Sequence, residues 1–123
     1  MKKYKCFEET SVWRNAHQLV LNIYNISNKF PVQETYALQS QFRRAAISIE
    51  ANIAEAFGRY HFLDRLKFYY NARGSAEECK SHLITGFDLK YFDQKEFSNI
   101  RIKLENIGEE INRIIVSLRS DKK

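Results

Sequence analysis

The regular spacing of apolar residues near the C-terminal end most constrains how this chain can fold. An apolar side chain recurs every three or four positions there, at Phe97, Ile100, Leu104, Ile107, Ile111, Ile114 and Leu118. Because an α-helix places such positions on one face, the stripe predicts a helix over residues 94–119 that packs against other helices. Asp93 and Glu96 stand three positions apart at its start, a spacing that is typical of a capping box.

Three earlier segments show the same periodicity. They predict helices over residues 11–30, 36–57 and 64–91. Thr10 or Ser11 can cap the first helix, and Pro31 marks its end because proline disfavours helical backbone at the preceding residue. Gly58 is the expected C-terminal cap of the second helix.

The third predicted helix contains Gly74 and Ser75. The apolar period passes through them without a change of phase, so we predict one unbroken helix. All connections between the predicted helices are short, which makes sequential helices antiparallel neighbours. The chain, residues 1–123, is therefore predicted to be one domain of the all-α class, an antiparallel up-down-up-down four-helix bundle, without internal repeats.

Composition narrows the class further. The 123 residues include 1 Pro and 4 Gly, too few for the turns of an all-β domain, and 20 Lys and Arg against 15 Asp and Glu, a net charge of +5. No uncharged apolar run approaches the length of a membrane span, and the N-terminus has no apolar signal region. We expect a cytoplasmic protein without a membrane role, in which Cys6 and Cys79 are free thiols.

Helix 2 and the start of helix 3 carry more apolar residues than one bundle core requires. Exposed apolar patches usually mark contacts with a partner. We therefore predict that the chain is a homo-oligomer, and the alternative is a broad core with a few exposed aromatic side chains. The predicted interface residues are Ile47, Phe57, Tyr60, Phe62, Phe68 and Tyr70.

The same region is locally basic. Arginines beside aromatic residues can bind phosphates and stack on bases, but they are equally suited to ion pairs with the glutamates nearby, and the sequence leaves both interpretations open. If nucleic acid binds here, the predicted contacts are Arg43, Arg44, Arg59, Arg65, Lys67 and Arg73.

Catalytic patterns are missing from the sequence. Cys79 and His82 share a helix face, but two residues do not make a metal site, and none of the three histidines follows a glutamate at the spacing of di-iron bundles. No glycine-rich phosphate loop is present. We expect neither an enzyme nor a bound cofactor or metal.

Several motifs resemble one protein family. They are Val12-Trp13-Arg14, Phe30-Pro31, Gln41 to Ile49, Asn52-Ile53-Ala54-Glu55, and Ala72 to Glu78 followed by His82-Leu83. Together they resemble the four-helix-bundle proteins encoded in intervening sequences of bacterial 23S rRNA genes, over roughly residues 10–115. The family usually has Gly where this chain has Ala56, so a close backbone approach at that position is not carried over.

The resemblance implies a homopentameric ring with a central channel. A related branch, the accessory proteins of diversity-generating retroelements, binds nucleic acid through basic surfaces and associates with a reverse transcriptase, which makes RNA, DNA or such a protein the expected partner. Polar motif positions of the family are implied to form one structural cluster: Asn52, Glu55, Arg73, Ser75 and Glu78. The predicted function is sequence-tolerant nucleic-acid binding, and the alternative is a scaffold ring for a protein partner.

Overall fold

A computed structural model describes residues 3–121 of the chain. Within them lie four α-helices: α1 (Ser11–Ser27), α2 (Leu38–Phe57), α3 (Phe62–Asp88) and α4 (Gln94–Ser120). Single turns of 3-10 helix occur at Phe7–Glu9 and Val32–Glu34, and no strand occurs in this part of the chain. The all-α class is confirmed, and α3 runs unbroken through Gly74 and Ser75 as predicted.

Each helix packs against two neighbours, in the cyclic order α1, α2, α3, α4. Side-chain contacts show the antiparallel direction of α1 and α4. Asn15, near the start of α1, donates to Glu110, near the end of α4, over 3.1 Å, while Lys29 just beyond α1 pairs with Glu96 at the start of α4. These are the contacts of a four-helix bundle, with the α1–α4 side opposite the α2–α3 side.

The core forms where the apolar stripes of the four helices meet. Leu19, Phe42, Ile49 and Leu83 are fully buried, one or more from each of the first three helices. The α4 stripe is buried at Ile100, Leu104, Ile107 and Ile111. Its last turns differ from the prediction, because Ile115 is buried while Ile114 and Leu118 are only partly so. A straight helix with 3.6 residues per turn drifts relative to a 3.5-residue repeat, which turns Ile115 inward.

Caps define the helix starts. Thr10 accepts a hydrogen bond from the Trp13 amide over 3.3 Å, and it is therefore Thr10 that caps α1. The capping box predicted at the start of α4 is confirmed, since the Asp93 carboxylate accepts from the Glu96 amide over 2.8 Å and the Glu96 side chain accepts from the Asp93 amide over 3.3 Å.

Three helix ends differ from their predicted form, and one of them is that of α3, which ends at Asp88 rather than at residue 91. α1 ends at Ser27, three residues early, because the chain turns so that Phe30 is buried against the rings of Phe42 and Tyr91. Gly58 closes α2 with a right-handed φ of −80° and so does not use the conformational freedom of glycine.

The end of α3 supplies the one left-handed residue of the described chain other than glycine, Lys90, with φ of 68°. The Lys90 amide donates to the Phe87 carbonyl over 2.9 Å and the Tyr91 amide to the Gly86 carbonyl over 3.1 Å. This pair of bonds is a Schellman motif. In the described range, no helix has the length and apolar character needed to span a membrane.

Candidate nucleic-acid interface

Three cations meet at the short connection between α2 and α3. Phe68 lies close to two of them, since the guanidinium carbon of Arg59 is 4.8 Å and the Lys67 ammonium 5.7 Å from the ring centre. Arg65 joins this group because its Nε donates to the Arg59 carbonyl over 2.6 Å. We call Arg59, Arg65, Lys67 and Phe68 the basic corner.

The basic corner is open to solvent. Tyr60, next to Arg59 in the chain, is 88% exposed, and its ring contacts that of His61, edge to face, with 5.2 Å between centroids. Arg59 also pairs with Glu55 over 3.1 Å, one turn earlier, but both side chains are about half exposed. Such surface pairs contribute little free energy, so a phosphate can replace the carboxylate.

A groove of about 820 Å³ adjoins the corner, between the end of α2, the start of α3 and the last turns of α4. Arg65 and Tyr69 line one wall and Arg113 the other. Burial raises the pKa of the Tyr69 hydroxyl, which Arg65 partly offsets. Glu110 and Asp121 also line the groove, so its charge is mixed rather than uniformly basic.

Two of the other predicted phosphate contacts hold helices together instead. Arg43 donates to Ser27 Oγ and Asn28 Oδ1, each over 2.8 Å, and to the Tyr24 carbonyl over 3.3 Å. It also lies over the Tyr24 ring, so three of the five N–H groups of Arg43 help to close the C-terminal end of α1.

Arg73 has a comparable role. Its Nη1 donates to Asn112 of α4 over 2.9 Å, and its guanidinium lies over the ring of Tyr70. Arg44 is exposed and lies fifteen residues before Arg59. At the helical rise per residue this is a separation of roughly 22 Å along α2. The six predicted cations therefore do not form one patch: three lie at the basic corner, two connect helices and one stands apart.

The five polar residues that were predicted to form one structural cluster do not all lie together. Ser75 of α3 and Ser48 of α2 share a hydrogen bond of 2.8 Å, and the Asn52 amide donates to the Ser48 carbonyl over 2.8 Å. Ser48, which was not among the predicted members of the cluster, is thus the link between Asn52 and Ser75. Because Ser48 lies one helical turn before Asn52, the sequence spacing could have identified Ser48 as a neighbour of Asn52.

The other three members of the predicted cluster have separate partners. Glu55 pairs with Arg59, Arg73 bonds to α4, and Glu78 contacts His82 over 3.2 Å. The structure therefore brings together Asn52 and Ser75 alone of the five.

The predicted interface residues divide by exposure. Two of the predicted interface residues are exposed, Ile47 at 38% and Tyr60 at 88%, and Leu63, which was not among them, is 68% exposed. The other four are half-buried: Phe57, Phe62, Phe68 and Tyr70. Of these, Phe62 and Tyr70 pack against the core. The exposed apolar surface on the α2–α3 side is thus narrower than the sequence suggested.

Cys79 and His82 do not form a reactive pair. Cys79 is fully buried, and burial raises the pKa of its thiol to about 12. The imidazole of His82 is bonded to Glu78 instead. Over residues 3–121, no three His, Cys, Asp or Glu side chains are grouped so that they could hold a metal ion.

Comparisons with known proteins agree with this architecture. The family model described as "23S rRNA-intervening sequence protein" matches residues 8–113. A crystal structure of a protein of unknown function from the S23 ribosomal protein family of Bacteroides thetaiotaomicron superposes with a TM-score of 0.79 at 22% sequence identity, covering 85% of this chain and 97% of the other. At that identity the likeness concerns the fold alone. No curated protein matches the chain.

Proposed function

The chain belongs to the 23S rRNA-intervening sequence protein family, and from that premise we propose a non-enzymatic, homo-oligomeric cytoplasmic protein that binds RNA or DNA without sequence preference. The observation that supports this proposal is the basic corner. Three cations, an aromatic ring close to two of them and an exposed tyrosine lie together where two helices meet. Grooves that bind single strands combine the same two elements, positive charge and stacking surfaces.

The proposed mechanism is electrostatic. Arg59, Arg65 and Lys67 neutralise backbone phosphates and release the counterions bound to the nucleic acid. Tyr60 supplies a face on which an unpaired base stacks, an interaction available to every base. Arg59 is bonded to Glu55 and Arg65 to the Arg59 carbonyl, and we propose that both contact phosphates, which carry no sequence information, so that binding is sequence-tolerant.

Assembly multiplies the contacts. The homopentamer implied by the family resemblance would repeat the basic corner five times, and the exposed aliphatic side chains of Ile47 and Leu63 are available for contacts between subunits. If one phosphate is neutralised per subunit, the logarithm of the association constant falls with the logarithm of salt concentration at a slope of roughly −3.5 to −4.5.

Fluorescence anisotropy tests the proposal. Nuclease-treated protein is titrated into a labelled structured RNA and a labelled duplex DNA at several salt concentrations. The test variant replaces all three cations by glutamine, Arg59→Gln, Arg65→Gln and Lys67→Gln. The control variant removes equal charge at the opposite end of the bundle, by Lys90→Gln, Lys95→Gln and Arg101→Gln. Arg101 is a close match for Arg59, because it also pairs with a glutamate one turn away and lies near an aromatic ring.

We expect steep salt dependence for the native chain and the control, and a slope near zero for the test variant. Equal slopes for the two variants would place the binding surface elsewhere. A native slope near zero, or no binding at low salt, would refute the electrostatic mechanism. The protein-scaffold alternative then gains weight, with exposed Tyr60 and Leu63 as the contacts for a protein such as a reverse transcriptase.

A further inference from the structure

The groove beside the basic corner is lined by apolar side chains that the bundle core does not fully bury. Ile114 and Leu118, which the α4 stripe predicted to be core residues, are only partly buried, and both line the groove. Phe57, at the end of α2, is half-buried and lines it as well. The volume of about 820 Å³ is that of a site for a small organic group, since such sites measure about 300–1,000 Å³.

Three polar side chains of the groove have hydrogen-bond donors that are not used within the chain. Tyr69 is half-buried, yet its hydroxyl makes no hydrogen bond within residues 3–121, although buried tyrosine hydroxyls usually have a partner. Arg113 makes neither an ion pair nor a hydrogen bond over the same residues. Arg65 uses its Nε for the Arg59 carbonyl, which leaves four of its five N–H groups for a ligand.

The charges of the groove fit a ligand that has both an anionic group and donor groups. Arg65 and Arg113 line different walls, and Lys3 adds a third cation from the N-terminal segment. Guanidinium groups bind phosphate with paired hydrogen bonds. Two carboxylates also line the groove, those of Glu110 and Asp121, and they accept hydrogen bonds from amino groups. A nucleotide combines a phosphate with an apolar ring, and the rings of adenine, cytosine and guanine carry amino groups.

Arg65 connects the groove with the basic corner, because it lines the first and bonds to Arg59 in the second. A strand whose phosphates lie along the corner therefore passes the groove. A base can enter the groove only if it is unpaired, since pairing and stacking in a duplex occupy both its edge and its faces. Unstacked bases of single strands are commonly bound in this way, against apolar or aromatic side chains with hydrogen bonds to the edge of the base.

We propose that the groove holds one unpaired base of a strand whose phosphates lie along the basic corner, so that unpaired segments of RNA or DNA are the preferred ligands. This inference rests on the proposed function and specifies its ligand. Phe57, Ile114 and Leu118 contact the faces of the base. Arg65 and Arg113 bind the phosphate beside it.

Fluorescence anisotropy with matched ligands tests the inference. The ligands are a labelled twelve-nucleotide strand of alternating adenine and cytosine, the same strand annealed to its complement, and a strand of equal length made of abasic nucleotides. The test variant is Ser117→Trp, which places an indole in the groove and removes no charge. The control is Val116→Trp, because Val116 is the preceding residue of α4, is 63% exposed and does not line the groove.

We expect Ser117→Trp to bind the adenine–cytosine strand roughly 5- to 100-fold more weakly than the native chain does, which is the effect of losing one stacked base. Its affinity for the abasic strand and for the duplex should be unchanged, and so should the salt dependence, because the phosphate contacts remain. Val116→Trp should bind all three ligands as the native chain does. Circular dichroism should show both variants to be helical.

Photo-crosslinking supplies a second measurement on the native chain. A strand that carries 5-iodocytosine is irradiated in the complex, and the modified residues are identified by mass spectrometry. We expect adducts at Phe57 or Tyr69, which line the groove. Adducts confined to Tyr60, which is exposed outside the groove, would overturn the inference.

The outcomes separate this inference from the proposed function. If the native chain binds none of the three ligands at low salt, the proposed function fails and this inference fails with it. If the native chain binds them with steep salt dependence and Ser117→Trp leaves the affinity for the adenine–cytosine strand unchanged, only this inference is overturned. The basic-corner variant tests the phosphate contacts alone, since it changes the slope with salt for all three ligands.

Discussion

Gly86 offers a sharp test of the packing at the end of α3. A Cβ atom added at this buried glycine would lie 2.8 Å from a ring carbon of Phe92 and 3.3 Å from one of Phe30. Carbon atoms in contact are normally about 3.5–4.0 Å apart. Phe92 cannot easily move away, because it is buried and stacked on Phe30 with 6.1 Å between ring centroids.

Two opposing effects decide the outcome of Gly86→Ala. Alanine stabilises a helix interior by about 1 kcal/mol relative to glycine. Overpacking of a filled core costs about 1–3 kcal/mol. Gly74 lies in the same helix, and a Cβ added there has no atom within 4 Å. Gly74→Ala therefore has the stabilising effect of alanine in a helix without the cost of overpacking. We expect Gly74→Ala to be more stable than the native chain and Gly86→Ala to be less stable than Gly74→Ala by about 1–3 kcal/mol.

Urea unfolding followed by circular dichroism measures both variants. A third variant, Gly86→Ala with Phe92→Leu, replaces the ring that the new Cβ would strike. The cost of the alanine should shrink in that background, with a coupling of about 1 kcal/mol between the two positions. Equal stabilisation by Gly86→Ala and Gly74→Ala would refute the reasoning, because it would mean that no ring occupies the space beside Gly86.

Three further substitutions probe other contacts, each by urea unfolding. Arg43→Met should cost about 1–3 kcal/mol because it removes the bonds that close α1, including the one to buried Ser27, whereas Arg44→Met should change stability by less than about 0.5 kcal/mol. Lys90→Gly should stabilise the chain by about 1 kcal/mol, since glycine adopts the left-handed φ of 68° without strain; a loss of stability would contradict the Schellman geometry. Burial raises the pKa of the Cys79 thiol from the ordinary 9.0 to about 12 in the folded chain, so above pH 9 the unfolded chain loses the thiol proton while the folded chain keeps it. The free energy of unfolding should therefore fall by up to about 1.4 kcal/mol per pH unit above pH 9. In Cys79→Ala this fall with pH should be smaller.

The helices were predictable because their signals are local. The 3,4 spacing of apolar residues and the Asp93–Glu96 box identify α4 within one residue of its observed bounds. The end of α1 was less predictable, since it depends on burying Phe30 against Phe42 and Tyr91, which are distant in sequence. Local rules fail there because the deciding contact is tertiary.

The candidate site was also predictable only in part, because some of its contacts are local in sequence and others are tertiary. Residue type and sequence proximity identified Arg59, Arg65 and Lys67 as one basic group, and the turn between α2 and α3 keeps them together. The same reasoning placed Arg43 and Arg73 with them. Only the packed helices reveal that Arg43 bonds the end of α1 and Arg73 bonds α4, because a guanidinium takes whichever acceptors its neighbouring helix presents.

Periodicity and capping residues are properties of the chain itself, and they suffice for the existence and order of the helices, while the sequence motifs indicate the family. The pairing of surfaces is not such a property. Ser48 and Ser75 are far apart in the sequence, and the packing of α2 against α3 brings their hydroxyl groups to 2.8 Å. Helix formation depends on neighbours within a few residues, whereas a surface is assembled from whichever segments the core brings side by side.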